Sequence, residues 1–205
     1  MGTWGVDPDK YDISQHLCCW IQQGSEMVVG VIAQGTSMSL TADWSQPLAN
    51  ANLASVVGEA GAGVAQIQSG ATSVTTYSTT QVWNGTKPLT FNLTLDFFAI
   101  DDAVQQVMKP IMWLQKFISP DVKGIVPFDI TAIGTAGSNS TGRIPERVSI
   151  DIGRKIIVPV CVIESVSIPI DKERDSKGNL IRAQVTVGCQ ALAMLNNNHF
   201  DGIYK

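Results

Sequence analysis

The side chains able to do chemistry are few, and their spacing serves no reaction. Two histidines, His16 and His199, sit near opposite ends of a 205-residue chain. A Ser-His-Asp or Cys-His arrangement needs a nucleophile, a base and a group that orients the base. It would have to be built on one of these two histidines, and both read as surface residues. Cys18, Cys19, Cys161 and Cys189 show no CxxC spacing, so a zinc site would have to gather ligands from both chain ends. Asp101 and Asp102 stand together just before an apolar-periodic run, where a carboxylate caps a helix by accepting its free amide protons. Gly58, Gly61 and Gly63 give G-x-x-G-x-G, the wrong order for a dinucleotide loop and with no parallel βαβ pattern around it. The reading is of a protein with no catalytic residues, no cofactor and no metal.

Composition narrows the class further. A chain of this length makes one domain, or one domain with a sizeable insertion. Charged residues make up 16% of it, against about 25% in soluble domains, while Ser, Thr, Asn and Gln are abundant. Low charge with high polarity points to large interfaces, as in an obligate assembly. The net charge of −4 comes without a Lys/Arg cluster, so the chain has no obvious grip on phosphates. No apolar run approaches the roughly 18 residues of a membrane span. "MVVGVIA" (27–33) is too short and too internal for a signal peptide.

The elements follow from periodicity. Residues 1–26 read as an N-terminal arm and 27–205 as a single domain with loop insertions near 46–70 and 121–146. Residues 27–33 form a buried strand, and Gln34-Gly35 turns it into a hairpin with "TSMSLTA", where Ser37, Ser39 and Thr41 make a polar face. "ATSVTTYSTTQVW" (71–83) is dense in β-formers, and Asn84-Gly85 signals a turn. In "FNLTLDF", Phe91, Leu93, Leu95 and Phe97 point one way and Asn92, Thr94 and Asp96 the other. A helix over about 101–118 follows, with Val104, Val107, Met108, Ile111, Leu114 and Ile118 on one stripe. Pro110 should kink or break it.

The C-terminal third reads as a long hairpin. Val158, Val160, Val162, Val166, Ile168 and Ile170 share one parity; Ile181, Ala183, Val185, Val187 and Cys189 share the other. The charge-balanced "DKERDSKGN" (171–179) forms its tip. On this period-2 reading Cys189 faces the apolar side and Cys161 the polar side, so a disulfide between them is not expected without a bulge.

The polar faces are built from Asn, Thr, Ser and Gln rather than Lys and Glu. A ring of subunits joined edge to edge would leave such a face lining a channel and would remove exposed strand edges. Here the residues carry a likeness. "WNGTKPLTFNLTLDFFAIDDAVQQVMKPIMWLQKFISP" (83–120) resembles a segment of tailed-phage tail-tube-fold proteins, nearest the baseplate tube-initiator and hub adaptor group. In that group a Trp and a Gly/Pro segment lead into a strand, acidic residues and a helix ending in Ser-Pro. "VPVCVIESVSIPIDKERDSKGNLIRAQVTVGCQAL" (158–192) resembles the same group's closing hairpin. The two stretches cover about a third of the chain.

The resemblance implies an α+β, mainly β fold: a tail-tube-like antiparallel β-sandwich or barrel with one flanking helix, assembling edge to edge into a ring. It implies a homo-hexamer that sits on the baseplate hub protein and templates the tail tube protein. Sheath and tape measure protein are possible neighbours, and DNA only passes through the lumen. Such a protein belongs to the virion and is assembled in the host cytoplasm. The candidate channel wall is Ser39, Thr41, Asn92, Thr94, Asp96, Gln184 and Thr186. The candidate ring-stacking tip is Asp171, Lys172, Glu173, Arg174, Asp175 and Lys177. The repeating tube protein itself, or the equivalent tube of a tailocin-type device, is the alternative within this class. A small hydrolase or carbohydrate-binding domain is the alternative outside it, and would show a pocket lined by aromatic and carboxylate groups.

Overall fold

The computed structural model describes residues 2–45, 81–120 and 145–205. Its strands are β1 (Gly2–Gly5), β2 (Cys18–Gln23), β3 (Glu26–Ile32), β4 (Ser37–Ser39), β5 (Ala42–Ser45), β6 (Val82–Thr86), β7 (Thr90–Phe98), β8 (Val148–Ile152), β9 (Ile156–Ser167) and β10 (Arg182–Ala191). A π-helical turn, Val104–Met108, runs into α1 (Lys109–Ile118), and α2 spans Asn197–Ile203. The chain divides into two units: Met1–Ser39 with Pro88–Lys205, and Leu40–Lys87. The expected insertion over 46–70, most of the expected strand over 71–83 and most of the expected insertion over 121–146 lie outside the described residues.

In the larger unit six antiparallel strands close on themselves in the order β3-β2-β8-β9-β10-β7, with β7 returning to β3. The fold is therefore α+β and mainly β, with a barrel rather than an open sheet. Small closed barrels are filled by their own side chains. Here Ile21, Val28, Leu93, Leu95, Phe97, Ile150, Val185 and Val187 are fully buried within one cluster. The closing seam is short, pairing Val31 with Asp96 and Ile32 with Leu95. Gly30 precedes it, and a Cβ there would stand 3.0 Å from Leu95 Cβ and from the Phe97 ring. Glycine is what lets the two strands meet over those side chains.

The N-terminal residues do not form an arm. β1 pairs in parallel with β3, and β2 is a full stave between β3 and β8. Cys18, Cys19, Trp20 and Ile21 are all buried, so β2 needs cover on both faces. Cys19 and Ile21 join the barrel interior, while Cys18 and Trp20 pack outside with Val29 and the half-buried Ile13, Met27 and Val31. Alternation told little here, because strands buried on both sides lose it.

The helix has the expected extent and most of the expected face, with changes at its two ends. Val107, Ile111, Leu114 and Phe117 enter the barrel cluster, whereas Val104 is exposed and Ile118 only half-buried. The π turn shifts the phase ahead of α1 and takes Val104 off the stripe, while within α1 Phe117 rather than Ile118 follows Leu114 into the core. Pro110 stands where the π turn gives way to the regular α-helix, in the first turn of the α-helical stretch, where its missing N–H is tolerated. Asp102 caps as expected, its Oδ1 accepting from the Val104 N–H at 2.8 Å, while Asp101 turns to Lys10 and Tyr11 instead. Buried Gln106 closes the entry to the helix. Its Oε1 accepts from the N–H groups of Ile100, Asp101 and Asp102, and its Nε2 donates to the Tyr11 hydroxyl at 2.7 Å.

In the smaller unit β5 and β6 form an antiparallel pair with Trp44 opposite Trp83. Asn84-Gly85 is not a turn: it lies within β6, where the register slips by one residue between Asp43 and Trp44. Gly85 takes φ 150°, and the extra residue is absorbed as a bulge.

Candidate functional site

The barrel strands β9, β10 and β7, with β4 alongside β7, present a polar outer face. β7 places Asp96 opposite Gln184, Thr94 opposite Thr186 and Asn92 opposite Gly188 of β10. On its other side β7 sets Asn92 against Ser37 and Thr90 against Ser39 of β4. β9 extends the face through Ser167 opposite Thr186 and Ser165 opposite Gly188. Residues directly opposite in an antiparallel pair project to the same side. Ser39, Asn92, Asp96, Gln184 and Thr186 are thus brought together on one wall, as the alternation requires.

Two members of the sequence-derived set stand apart. Thr94 has the right phase but is buried. The turn after β3 lies over it: Thr36 Oγ1 donates to the Thr94 carbonyl at 3.0 Å and accepts from the Thr94 N–H at 3.1 Å. That turn contains Gln34-Gly35, but it delivers β4 to β7 rather than back to β3, so the expected hairpin with residues 27–33 does not form. Thr41 falls in the smaller unit, where its carbonyl accepts from the Lys87 N–H.

The electrostatics of the wall depend on a residue the sequence reading missed. Arg182 Nη2 donates to Asp96 Oδ2 at 2.8 Å, so the single carboxylate of the Asn92-Thr94-Asp96 row is compensated. That bond also holds the Arg182 guanidinium above its ordinary pKa. Arg182 has the same parity as Gln184 and Thr186, and extending that row by one step would have found it. The other carboxylate oxygen, Asp96 Oδ1, is buried without a hydrogen-bond partner. Chemically the wall offers hydroxyls, amides and one ion pair, a surface that water wets and that phosphates find little reason to hold.

Bulges decide which side of β9 faces in. The register slips between Val148 and Ile150 of β8, and again between Gly188 and Cys189 of β10. Cys161 and Ile163 therefore turn inward, while Val160 is exposed and Ile170 is 75% exposed. Parity is restored at Val166 and Ile168, which pack on the core. The expected placement of Cys161 on the polar side is thus overturned. Cys161 and Cys189 are both buried in the core, and all four cysteines are free thiols. Burial pushes the Cys161 and Cys189 thiols up to about 12.

The tip at 171–179 is a tightly bonded loop. Asp175 Oδ1 accepts from the N–H groups of Lys177 and Asn179, and its Oδ2 from the Asn179 side chain. The Asn179 hydrogen bonds, with those from the tip amides, hold its carboxyl below the usual carboxylate range. Arg174 points back into the loop, donating to the carbonyls of Gly178 and Ile170. Asp171, Lys172, Glu173 and Lys177 remain exposed.

His16 and His199 serve local structure. His16 Nδ1 lies 2.8 Å from the Gly153 carbonyl, and His199 completes a capping box with Asn196 at the start of α2. Among the described residues no group of three or more His, Cys, Asp or Glu side chains is placed to hold a metal ion, and no helix is long and apolar enough to cross a membrane. No family model matches this chain, and no curated protein matches it.

Proposed function

We propose that this chain is a structural virion protein of a contractile phage tail, a baseplate tube initiator. Six copies would form a ring on the central hub, line the DNA channel and template the first ring of the tail tube. The observation that carries this reading is the polar wall across β9, β10, β7 and β4. It spans three neighbouring staves of a filled barrel and the strand β4 beside them, and is made of Ser, Thr, Asn and Gln with one ion pair. A monomer gains solubility from Lys and Glu on such a face; a channel wall for a passing polyanion is better without free cations.

The work in this reading is mechanical. The ring presents one face to the hub and the other to the next tube ring, and its position sets where the sheath begins. Tape measure protein and DNA occupy the lumen without sequence-specific contacts. Half-exposed Trp44 and Trp83 of the smaller unit, opposite each other on β5 and β6, suit a role in contacts between chains.

Light scattering of the purified chain, alone and mixed with hub proteins or tail particles, tests the proposal. A closed ring of six, or monomers that assemble only on the hub, is the expected result. Open-ended tubes formed without a template would reassign the chain as the repeating tube protein. A monomer indifferent to every tail component would overturn both readings.

A further inference from the structure

Asn84 is the only asparagine in the chain followed by glycine, and the fold leaves it outside its own ladder. Asp43 of β5 stands opposite Gly85 of β6, and Trp44 opposite Trp83, so Asn84 is the extra residue of the bulge and faces no residue of β5. The extra residue of a bulge is unpaired and the ladder around it is disrupted. Asn84 is exposed, as are Val82 and Trp83 before it. β5 and β6 form a sheet of their own, and a two-stranded pair is only marginally stable.

The surroundings of the Asn84 side chain suit one reaction. Ser45 Oγ donates to Asn84 Oδ1 at 3.1 Å, which draws electrons from the amide carbon Cγ. Gly85 has no side chain to shield its main-chain nitrogen, and even a Cβ built there would meet nothing within 4 Å. Other asparagines are held more firmly. Asn92 lies in β7 between β10 and β4, with Leu93 after it. Asn179 donates through Nδ2 to Asp175 at 2.9 Å and precedes buried Leu180.

We infer that Asn84 is a site of spontaneous deamidation, assisted by the Ser45 hydroxyl. The main-chain nitrogen of Gly85 loses its proton to hydroxide and attacks Asn84 Cγ. A bond forms from that nitrogen to Cγ, and negative charge develops on Oδ1, where Ser45 donates as a group in an oxyanion hole does. The bond from Cγ to the side-chain nitrogen then breaks, and this nitrogen takes a proton from water and leaves as ammonia. Water opens the resulting cyclic imide at either carbonyl, giving aspartate or isoaspartate in place of the asparagine. Both products put a carboxylate next to the Asp43–Gly85 pair, and like charges close together on paired strands are destabilising. Isoaspartate also lengthens the main chain by a methylene within the bulge. The reaction is independent of the assembly proposed above.

Peptide mass spectrometry on the full chain, incubated at mildly alkaline pH in native buffer and in urea, tests it. Buried thiols that stay unreactive in withdrawn aliquots confirm that the native samples remain folded. Native Asn84 should convert within about tenfold of its rate in urea, the small protection that a locally opening pair gives, while native Asn92 and Asn179 stay intact. Ser45→Ala should slow the native reaction about threefold or more and leave the rate in urea unchanged, because only the fold places the hydroxyl on Oδ1. Asn84 that survives in native buffer over a time that converts it fully in urea would overturn the site. Equal native rates in the parent and in Ser45→Ala would overturn the assisting role of the hydroxyl.

Discussion

Asp96 and Arg182 are bonded across the outer face of β7 and β10, Nη2 to Oδ2 at 2.8 Å, with the second carboxylate oxygen buried and unpaired. The arginine side chain is well exposed and the aspartate largely covered. Removing the cation therefore does more than cut a surface salt bridge, because the carboxylate left behind is poorly hydrated. Arg182→Gln should lower the urea midpoint by more than loss of a fully exposed pair would. Asp96→Asn in the same background should recover part of that loss. Urea denaturation of the two single variants and the double variant measures the coupling; simple additivity would show that the pair contributes nothing.

Gln106 organises the entry to the helix from a buried position. One oxygen serves three main-chain N–H groups, those of Ile100, Asp101 and Asp102. Gln106→Ala leaves these donors without their acceptor and should cost about 2–3 kcal/mol. Tyr11→Phe removes only the hydroxyl that Gln106 Nε2 meets and should cost about 1 kcal/mol. Equal effects in thermal unfolding would mean that the three amides find other partners.

Closure of the barrel depends on Gly30. A methyl group there meets Leu95 and Phe97 at 3.0 Å, so Gly30→Ala should destabilise by about 1–3 kcal/mol through overpacking at the seam. Pairing Gly30→Ala with Phe97→Leu should return part of the loss. A neutral Gly30→Ala would show that β3 and β7 can separate there without cost.

The buried thiols make stability fall on the alkaline side. Burial raises the folded-state pKa of Cys161 and Cys189 to about 12, against about 8.5 in an unfolded chain. The folded state holds these protons more tightly, so the contribution is complete below about pH 8.5 and is lost as the pH climbs toward 12. Urea midpoints measured from pH 7.5 to 10.5 should decline, and the decline should be shallower in Cys161→Ala/Cys189→Ala. An unchanged slope would assign the alkaline loss to other groups. At pH 8 the native thiols should resist a thiol reagent that labels all four in urea.

If the polar wall faces a channel, adding cations to it should retain DNA. Asn92→Lys with Gln184→Lys places two ammonium groups on neighbouring strands of that face. Assembled rings of the variant should bind DNA in a salt-dependent way where the parent does not. Identical behaviour of the two rings would place this face elsewhere.

By itself the sequence determined the chemistry of each face and the elements that carry it. Where a strand is regular, period-2 alternation is a direct consequence of the pleat, so Phe91, Leu93, Leu95 and Phe97 could be assigned to the core, and Asn92 and Asp96 to the outer wall. The helix and the closing hairpin were legible for the same local reason. The side turned by Cys161 was not, because each bulge in β9 reverses parity and leaves no mark in composition. The tertiary structure alone decided that β2 is a barrel stave, that β4 pairs with β7, that Thr36 covers Thr94, and that Asn84-Gly85 sits in a strand. Each of these follows from pairing between segments far apart in the chain, where the gain from joining distant backbones outweighs what neighbouring residues prefer.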